Sequence, residues 1–348
     1  LVQKNIKVVA YTYYNSENSI GLLRYLSPKV LKKIKIISGD VRDFRRTRDS
    51  MKGCDSVINL AALIGIPYSY HSPQSYIDTN INGTYNILEA AKNLGLNKII
   101  LTSTSEVYGT AKYTPIDEKH PLNPQSPYAA SKVGSDSLGM SYFYSYNLPV
   151  TIVRPFNTYG PKQSLRAIIP TILNQYLNNT NILKLGNINT IRDLTYVDDT
   201  CRAFYLALKN SKKNLQGQII NLGIGYGIKV KDVIKQIEKQ NNIKFKILTD
   251  KNRLRPENSE VMKLISSNKK AKKILNWEPK FNGSKGLNLG LIKTLHWYKK
   301  NGGAFISMAI NKYCYVYVKN LPPYFDYTNR IIWSKIEQVN SVREIKHP

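Results

Sequence analysis

The chain has 348 residues, 51 of them Lys or Arg against 23 Asp or Glu, giving a formal net charge of +28; this length supports one large or two moderate domains with a full core. Three cysteines at unrelated spacings, Cys54, Cys201 and Cys314, argue against a disulfide framework or a zinc site and fit a reducing cytoplasm, and no stretch approaches the ~20 apolar residues of a membrane span. The lysines are scattered among Asn, Ile and Tyr without basic runs interleaved with stacking aromatics, so the charge reads as a solvated basic surface and no nucleic-acid partner is expected.

Short apolar runs at 6–10, 34–38, 56–60, 98–101 and 150–153 predict strands. Between them lie stretches with helical apolar spacing, such as Tyr85, Leu88 and Ala91 within 73–94. Buried strands joined by helices predict an α/β fold with a doubly wound, Rossmann-like parallel sheet over 1–160, whose ligands sit beyond the carboxyl ends of the strands. TSTSEVYG (102–109) falls at such an end. In SPYAASK (126–132), Ser126 or Pro127 opens a helix and Tyr128 and Lys132, four apart, share one face. An ammonium beside a phenol predicts a lowered tyrosine pKa. Beyond 160 the elements shorten and gain Gly and Asn turns, predicting a smaller α/β lobe over 161–300 that covers the crevice and returns some segments to the main sheet. NLGIGYGIKVKDV (221–233) runs strand, glycine turn, helix, but its third glycine comes too early for G-x-G-x-x-G and it reads as an ordinary turn. His71 and His120 lack ligand spacing, so no metal is expected. The tail 301–348, with KYCYVYVKNLPPYF, stays unassigned.

Taken in order, DVRD (40–43), NLAA (59–62), TNINGT (79–84), TSTSEVYG, SPYAASK, RPFNTYGP (154–161) and RDLTYVDD (192–199) resemble the extended short-chain dehydrogenase/reductase superfamily. Within it, IPYSYHSPQSYIDTN (66–80) and RLRPENSEV (253–261) are similar to the nucleotide-sugar 4,6-dehydratases of the legionaminic-acid pathway. The resemblance implies that Tyr128 takes the proton of the sugar 4-hydroxyl while Thr104 holds that oxygen and C4 is oxidised. It also implies that Glu106 removes the C5 proton so that water leaves from C6. Ser105 stands where dTDP-glucose dehydratases carry an aspartate; GDP-mannose dehydratases share the Thr-Ser-Glu run, which gives Glu106 the roles of base and then acid. A 4-epimerase does not need the glutamate, whereas UDP-glucuronate decarboxylases also resemble TSTSEVYG.

The same resemblance assigns Asp40 and Val41 to the adenine, Leu60, Ala61 and Ala62 to the ribose and phosphates, Asn80 to orienting the catalytic end, and Pro155 to the cofactor border. Asn157, Arg192 and Arg255 are assigned to the nucleotide-sugar substrate, the arginines to its pyrophosphate. The implied cofactor is NAD, with NADP left open because TYYNSENS (12–19) has no carboxylate at the strand end. A homodimer through the helices near 73–94 and 126–146 is implied as well. No glycine-rich turn precedes VVAYTYYNS and the first strand resembles the family's second, an expectation that roughly 20 to 30 residues, one strand, turn and helix, are missing at the start. A basic nucleic-acid-binding module and a non-catalytic member of the family are the readings of other classes.

Overall fold

In the computed structural model, which describes residues 1–178, 181–210, 213–301, 319–320, 329–332 and 336–339, each of the five apolar runs becomes a strand. The strands are β1 (Val8–Tyr13), β2 (Ile34–Gly39), β3 (Ser56–Asn59), β4 (Lys98–Thr102) and β5 (Val150–Pro155), followed by β6 (Asn157–Tyr159), β7 (Ile182–Leu185), β8 (Ile191–Tyr196), β9 (Gln218–Leu222), β10 (Gly227–Lys229) and β11 (Lys246–Thr249). β1 and β2 form a parallel pair with Val8 opposite Ile34. β3, β4, β5 and β9 form a four-stranded parallel sheet in that order.

Successive residues of a strand point to opposite faces, and the cores show the consequence. Ile99, Leu101, Val150 and Ile152 pack with Ile87 and Leu88 of the helix Gly83–Leu94 and Tyr142 of the helix Pro127–Tyr146. Ile100, Val153 and Ile220 face the other way, onto Phe204 of the helix Val197–Lys209 and onto Trp277. Burial on both faces is why these strands read as unbroken apolar runs. Each fully buried Ile contributes roughly 1.5–3 kcal/mol relative to an exposed one.

A third core, with Tyr159, Ile172, Leu183, Leu194, Val233 and Leu291, belongs to the second half. There β8 lies between β10, antiparallel to it, and β6, parallel to it, while β7 pairs with β11. Residues Leu1–Lys300 pack as one compact unit. Asn301–Pro348 form another, in which the strands Lys319–Asn320, Asn329–Ile332 and Ile336–Val339 make an antiparallel sheet. KYCYVYVKNLPPYF lies outside the described residues apart from Lys319–Asn320. Among the described residues no helix is long and apolar enough to cross a membrane.

The segment 73–94 is not one regular helix. Pro73–Tyr76 runs into a wide π-helical turn, Ile77–Asn82, before Gly83–Leu94. The wide turn leaves the Asn80 carbonyl free to accept from Ser135 Oγ at 2.6 Å and Thr84 Oγ1 at 2.6 Å. π-Turns of this kind occur often at functional sites.

Candidate active site

β4 ends at Thr102, and two residues later Thr104, in extended backbone, caps a short 3-10 turn, Ser105–Tyr108, its Oγ1 accepting the Glu106 N–H at 3.2 Å. This tight turn buries Thr104, Ser105 and Glu106 together. From the next element, Ser126 caps the helix Pro127–Tyr146 by accepting the Ala129 N–H at 3.1 Å, with Pro127 in the first turn. That start places Tyr128 at the mouth of the helix and Lys132 one turn along. The Thr104 hydroxyl lies near enough to that of Tyr128 to lower its pKa, so Thr104 joins Glu106 and Tyr128 into one cluster.

The expected lowering of the Tyr128 pKa is not found. Burial raises the Tyr128 pKa well above the ordinary tyrosine range, opposed by the Thr104 hydroxyl and reinforced by the negative charges of Glu106 and Asp136. The Lys132 ammonium donates instead to the Thr102 carbonyl. Burial pushes the Lys132 pKa down to about 8, with Asp136 acting in the opposite direction. Spacing on a helix brought the two residues to one face, but the strand end took the ammonium's hydrogen bond.

Around Glu106 the charges are paired by longer contacts. Arg255 Nη1 lies 3.6 Å from Glu106 Oε2 and 3.9 Å from Glu260 Oε1. Arg192 on β8 brings Nη2 to 3.6 Å from the same Glu260 oxygen. Burial lowers the Arg192 pKa, with Glu106 next in weight and raising it. Glu260 sits within RLRPENSEV, yet no motif singles it out by sequence. Arg255 and Glu260 also line a cavity of about 590 Å³, with Gly186, Asn189, Leu254 and Met262 among its walls.

Asn80 ties the cluster to the loop after β3. Its side chain accepts the Leu63 N–H at 2.8 Å and donates to Leu63 O at 3.0 Å and Ser131 Oγ at 2.9 Å, while Ser131 donates to the Tyr128 carbonyl at 2.7 Å. Leu60, Ala61 and Ala62 follow directly on β3, Leu60 being 68% exposed. Asp40 and Val41 follow β2, where the Asp40 carboxylate takes Arg42 Nε at 2.9 Å and Nη2 at 2.5 Å. The Val41 carbonyl accepts from Asn86 at 2.8 Å. Among the described residues no hydrogen bond or ion pair ties Asp40, Val41 or Leu60–Ala62 to the Thr104–Glu106–Tyr128 cluster. Pro155 ends β5, and Asn157 begins β6 with a buried Oδ1 that has no hydrogen-bond partner.

The glycine turn of 221–233 is occupied from within the protein. The buried Asp193 carboxylate accepts the N–H groups of Ile224 at 2.8 Å, Gly225 at 2.9 Å and Ser266 at 3.0 Å. Burial raises its pKa to about 6, with those three hydrogen bonds opposing. A Cβ at Gly223 would run into Ser266 and this carboxylate, so the glycine serves a close internal approach. His120 is likewise satisfied, Nε2 accepting the Lys112 N–H at 3.0 Å and Nδ1 donating to the Pro121 carbonyl at 2.9 Å. Among the described residues no group of three or more His, Cys, Asp or Glu side chains is arranged to hold a metal.

Behind the cluster runs a buried polar chain that sequence patterns do not reveal. Asp136 accepts from Ser103 Oγ at 2.8 Å and from Arg154 Nε at 3.0 Å; Arg154 donates to Tyr108 OH at 2.9 Å, which donates to Asn221 at 2.8 Å. It links β4, β5, β9 and the Tyr128 helix beneath the site.

Residues 1–289 match the GDP-mannose 4,6 dehydratase family. A UDP-glucuronate 4-epimerase of Thermodesulfobacterium geofontis is 33% identical over 286 residues, 80% of this chain and 84% of that protein. The human dTDP-D-glucose 4,6-dehydratase is 30% identical over 276 residues, 77% of this chain and 75% of its own. The structure of the UDP-glucuronic acid 4-epimerase of Bacillus cereus, in complex with UDP-glucuronic acid and NAD, matches with a TM-score of 0.75 at 27% identity, covering 86% of this chain and 93% of that one. With the parallel sheet, the strand-end cluster and these matches together, the chain belongs to the GDP-mannose 4,6-dehydratase family, among the nucleotide-sugar dehydratases and 4-epimerases.

Proposed function

We propose that the protein is a nucleotide-sugar 4,6-dehydratase of the legionaminic-acid pathway type, acting on a nucleoside-diphosphate N-acetylhexosamine with NAD. One observation carries the reading: a buried carboxylate, Glu106, shares a hydrogen-bonded turn with Thr104, whose hydroxyl lies near that of Tyr128. C4 chemistry alone needs the phenol and the alcohol; the carboxylate answers to the acidic C5 hydrogen of a 4-ketone.

The donor set fits a nicotinamide riboside. Tyr128 and Lys132 stand on one helical face, with the Lys132 ammonium held at the main-chain carbonyl of Thr102. Tyr128 and Lys132 would hold the ribose, Leu60–Ala62 would line the phosphates, Asp40 and Val41 would meet the adenine, and Pro155 would border the ring. The cofactor, when bound, supplies reversible hydride acceptance at the sugar.

On the protein's side, Tyr128 moves the proton of the 4-hydroxyl while Thr104 orients that oxygen. Burial favours the protonated phenol in the resting state, so Tyr128 must first release its own proton to solvent before it can accept that of the 4-hydroxyl as the ketone forms. Glu106 then takes the C5 proton and, protonated, gives it to the departing C6 hydroxyl as water, in place of the acid that Ser105 cannot supply; hydride return to C6 would then leave C5 to take up a proton from solvent. Arg192, Arg255 and Asn157 bind the diphosphate and sugar, with the adjoining cavity taking the nucleoside.

A panel of UDP- and GDP-N-acetylhexosamines and UDP-glucuronate, incubated with NAD in D2O, tests this. A 4-keto-6-deoxy product carrying solvent deuterium at C5 is expected. A C4-inverted sugar without solvent deuterium would make the protein an epimerase, and CO2 released from UDP-glucuronate would make it a decarboxylase. The UDP-glucuronate reading has one observation in its favour: Arg255 Nη1 is buried without a hydrogen-bond partner near Glu106, a place where a substrate carboxylate would be compensated.

A further inference from the structure

Two carboxylates and two guanidinium groups meet at the site in a balanced quartet: Glu106, Glu260, Arg192 and Arg255. Their side chains are largely withdrawn from water, with relative exposures of 9%, 13%, 8% and 21% in that order. Yet every contact among them is 3.6 Å or longer, well outside the ~2.7–2.9 Å of a charge-assisted hydrogen bond. Arg255 Nη1 is the extreme case, since it lies between two carboxylates and hydrogen-bonds neither. Such an arrangement compensates charge without satisfying the donor. It is a site waiting for an anion that fits better, and the same guanidinium also faces the cavity beyond.

We propose that Arg255 is shared in turn: Glu106 holds it while the site is empty, and a nucleoside diphosphate takes it when substrate binds, leaving Glu106 released toward the sugar. Glu260, which contacts both arginines, keeps them in place through the exchange. Arg255 thereby couples occupation of the diphosphate subsite to the freedom of the carboxylate at the reacting carbons. Such coupling is reciprocal by linkage: whatever weakens Glu106's hold on Arg255 must tighten the diphosphate. This inference rests on the nucleotide-sugar reading, but it is tested by binding alone.

The experiment is calorimetric titration of the full chain with UDP, GDP and dTDP, without sugar, in a double-mutant cycle of Glu106→Gln and Arg255→Gln. The nucleotide that binds the wild type should bind Glu106→Gln several-fold more tightly and Arg255→Gln at least tenfold more weakly. In the Arg255→Gln background, Glu106→Gln should bring no further gain. Glu106→Asp, which keeps the charge but withdraws it by one methylene, should give a smaller gain and serves if the glutamine variant does not fold. If Glu106→Gln leaves the affinity unchanged, or if its gain persists without Arg255, the shared arginine is overturned while the nucleotide-sugar reading stands. If the wild type binds none of the three nucleotides, both fall.

Discussion

The Lys132 ammonium donates to the main-chain carbonyl of Thr102, the last residue of β4, the strand that delivers Thr104 and Glu106 to the site. A charged side chain from the helix thus fastens the strand end, and it does so 4% exposed. The arrangement has a thermodynamic signature. Lys132 has a folded pKa of about 8 against an ordinary 10.5, so between those values the unfolded chain holds a proton that the folded one has released. Stability therefore rises with pH through that window and is insensitive to this group below it. Thermal melts of wild type and Lys132→Met should show the wild type gaining on the variant between pH 8 and 10, by of order 3 kcal/mol at most, and a constant difference below pH 7. A difference that stays constant throughout would mean the ammonium is solvated.

Glu106→Gln separates the two halves of the proposed reaction. The amide keeps the size of the side chain and the 3-10 turn that Thr104 caps through the main chain, but it cannot take a proton from C5. Turnover to a 4-keto-6-deoxy sugar should fall by about 10²–10⁴-fold, and deuterium from solvent should no longer enter C5. Oxidation at C4, followed in a single turnover, should survive. Equal loss of both steps would place Glu106 in binding or folding and not in elimination.

Asn80 has no exposed surface and spends its amide on both main-chain groups of Leu63 and on Ser131. Asn80→Ala strands those partners in the interior, at roughly 1–3 kcal/mol for each group left unsatisfied. The melting temperature should drop, and turnover should drop beyond what unfolding explains, because Ser131 bonds the carbonyl of Tyr128 itself. Asn80→Asp keeps the acceptor for the Leu63 N–H but sets a carboxylate against the Leu63 carbonyl, and should be no better tolerated. An alanine variant with unchanged melting and turnover would remove Asn80 from the site's architecture.

What could be read from the sequence was what repeats locally. Apolar runs such as 98–101 and 150–153 announce strands because burial on both faces leaves no polar alternation, and Ser126-Pro127 announces a helix start because the cap is made by neighbouring residues. The Tyr128–Lys132 face followed from helix geometry alone. The direction of the Tyr128 pKa did not, since burial sets it and burial is a product of the whole fold, while the Lys132 ammonium goes to Thr102, thirty residues away in sequence. Glu260 lay hidden for a similar reason: only the fold brings it against Arg192 and Arg255. In the glycine turn of 221–233 the ligand is Asp193 from another strand, a partner that no local pattern discloses.

Asp136 is the strictest case of such a tertiary partner. Its carboxylate meets Arg154 Nη2 at 2.9 Å and Nε at 3.0 Å, both side chains being nearly inaccessible to water, and also takes the Ser103 hydroxyl. Burial raises the Asp136 pKa, and the Arg154 charge leads the effects that oppose it. Removing one member leaves the other charge buried without compensation, which costs about 3–5 kcal/mol, whereas replacing both by apolar groups of similar volume often costs little. Asp136→Asn should therefore lower the melting temperature sharply, and the double change Asp136→Leu with Arg154→Met should recover much of the loss. Recovery will not be complete, because Tyr108 then loses the Arg154 donor at 2.9 Å and Ser103 its acceptor. Equal destabilisation by the single and double changes would locate the cost in packing, and a single change costing under about 1 kcal/mol would show the pair to be solvated.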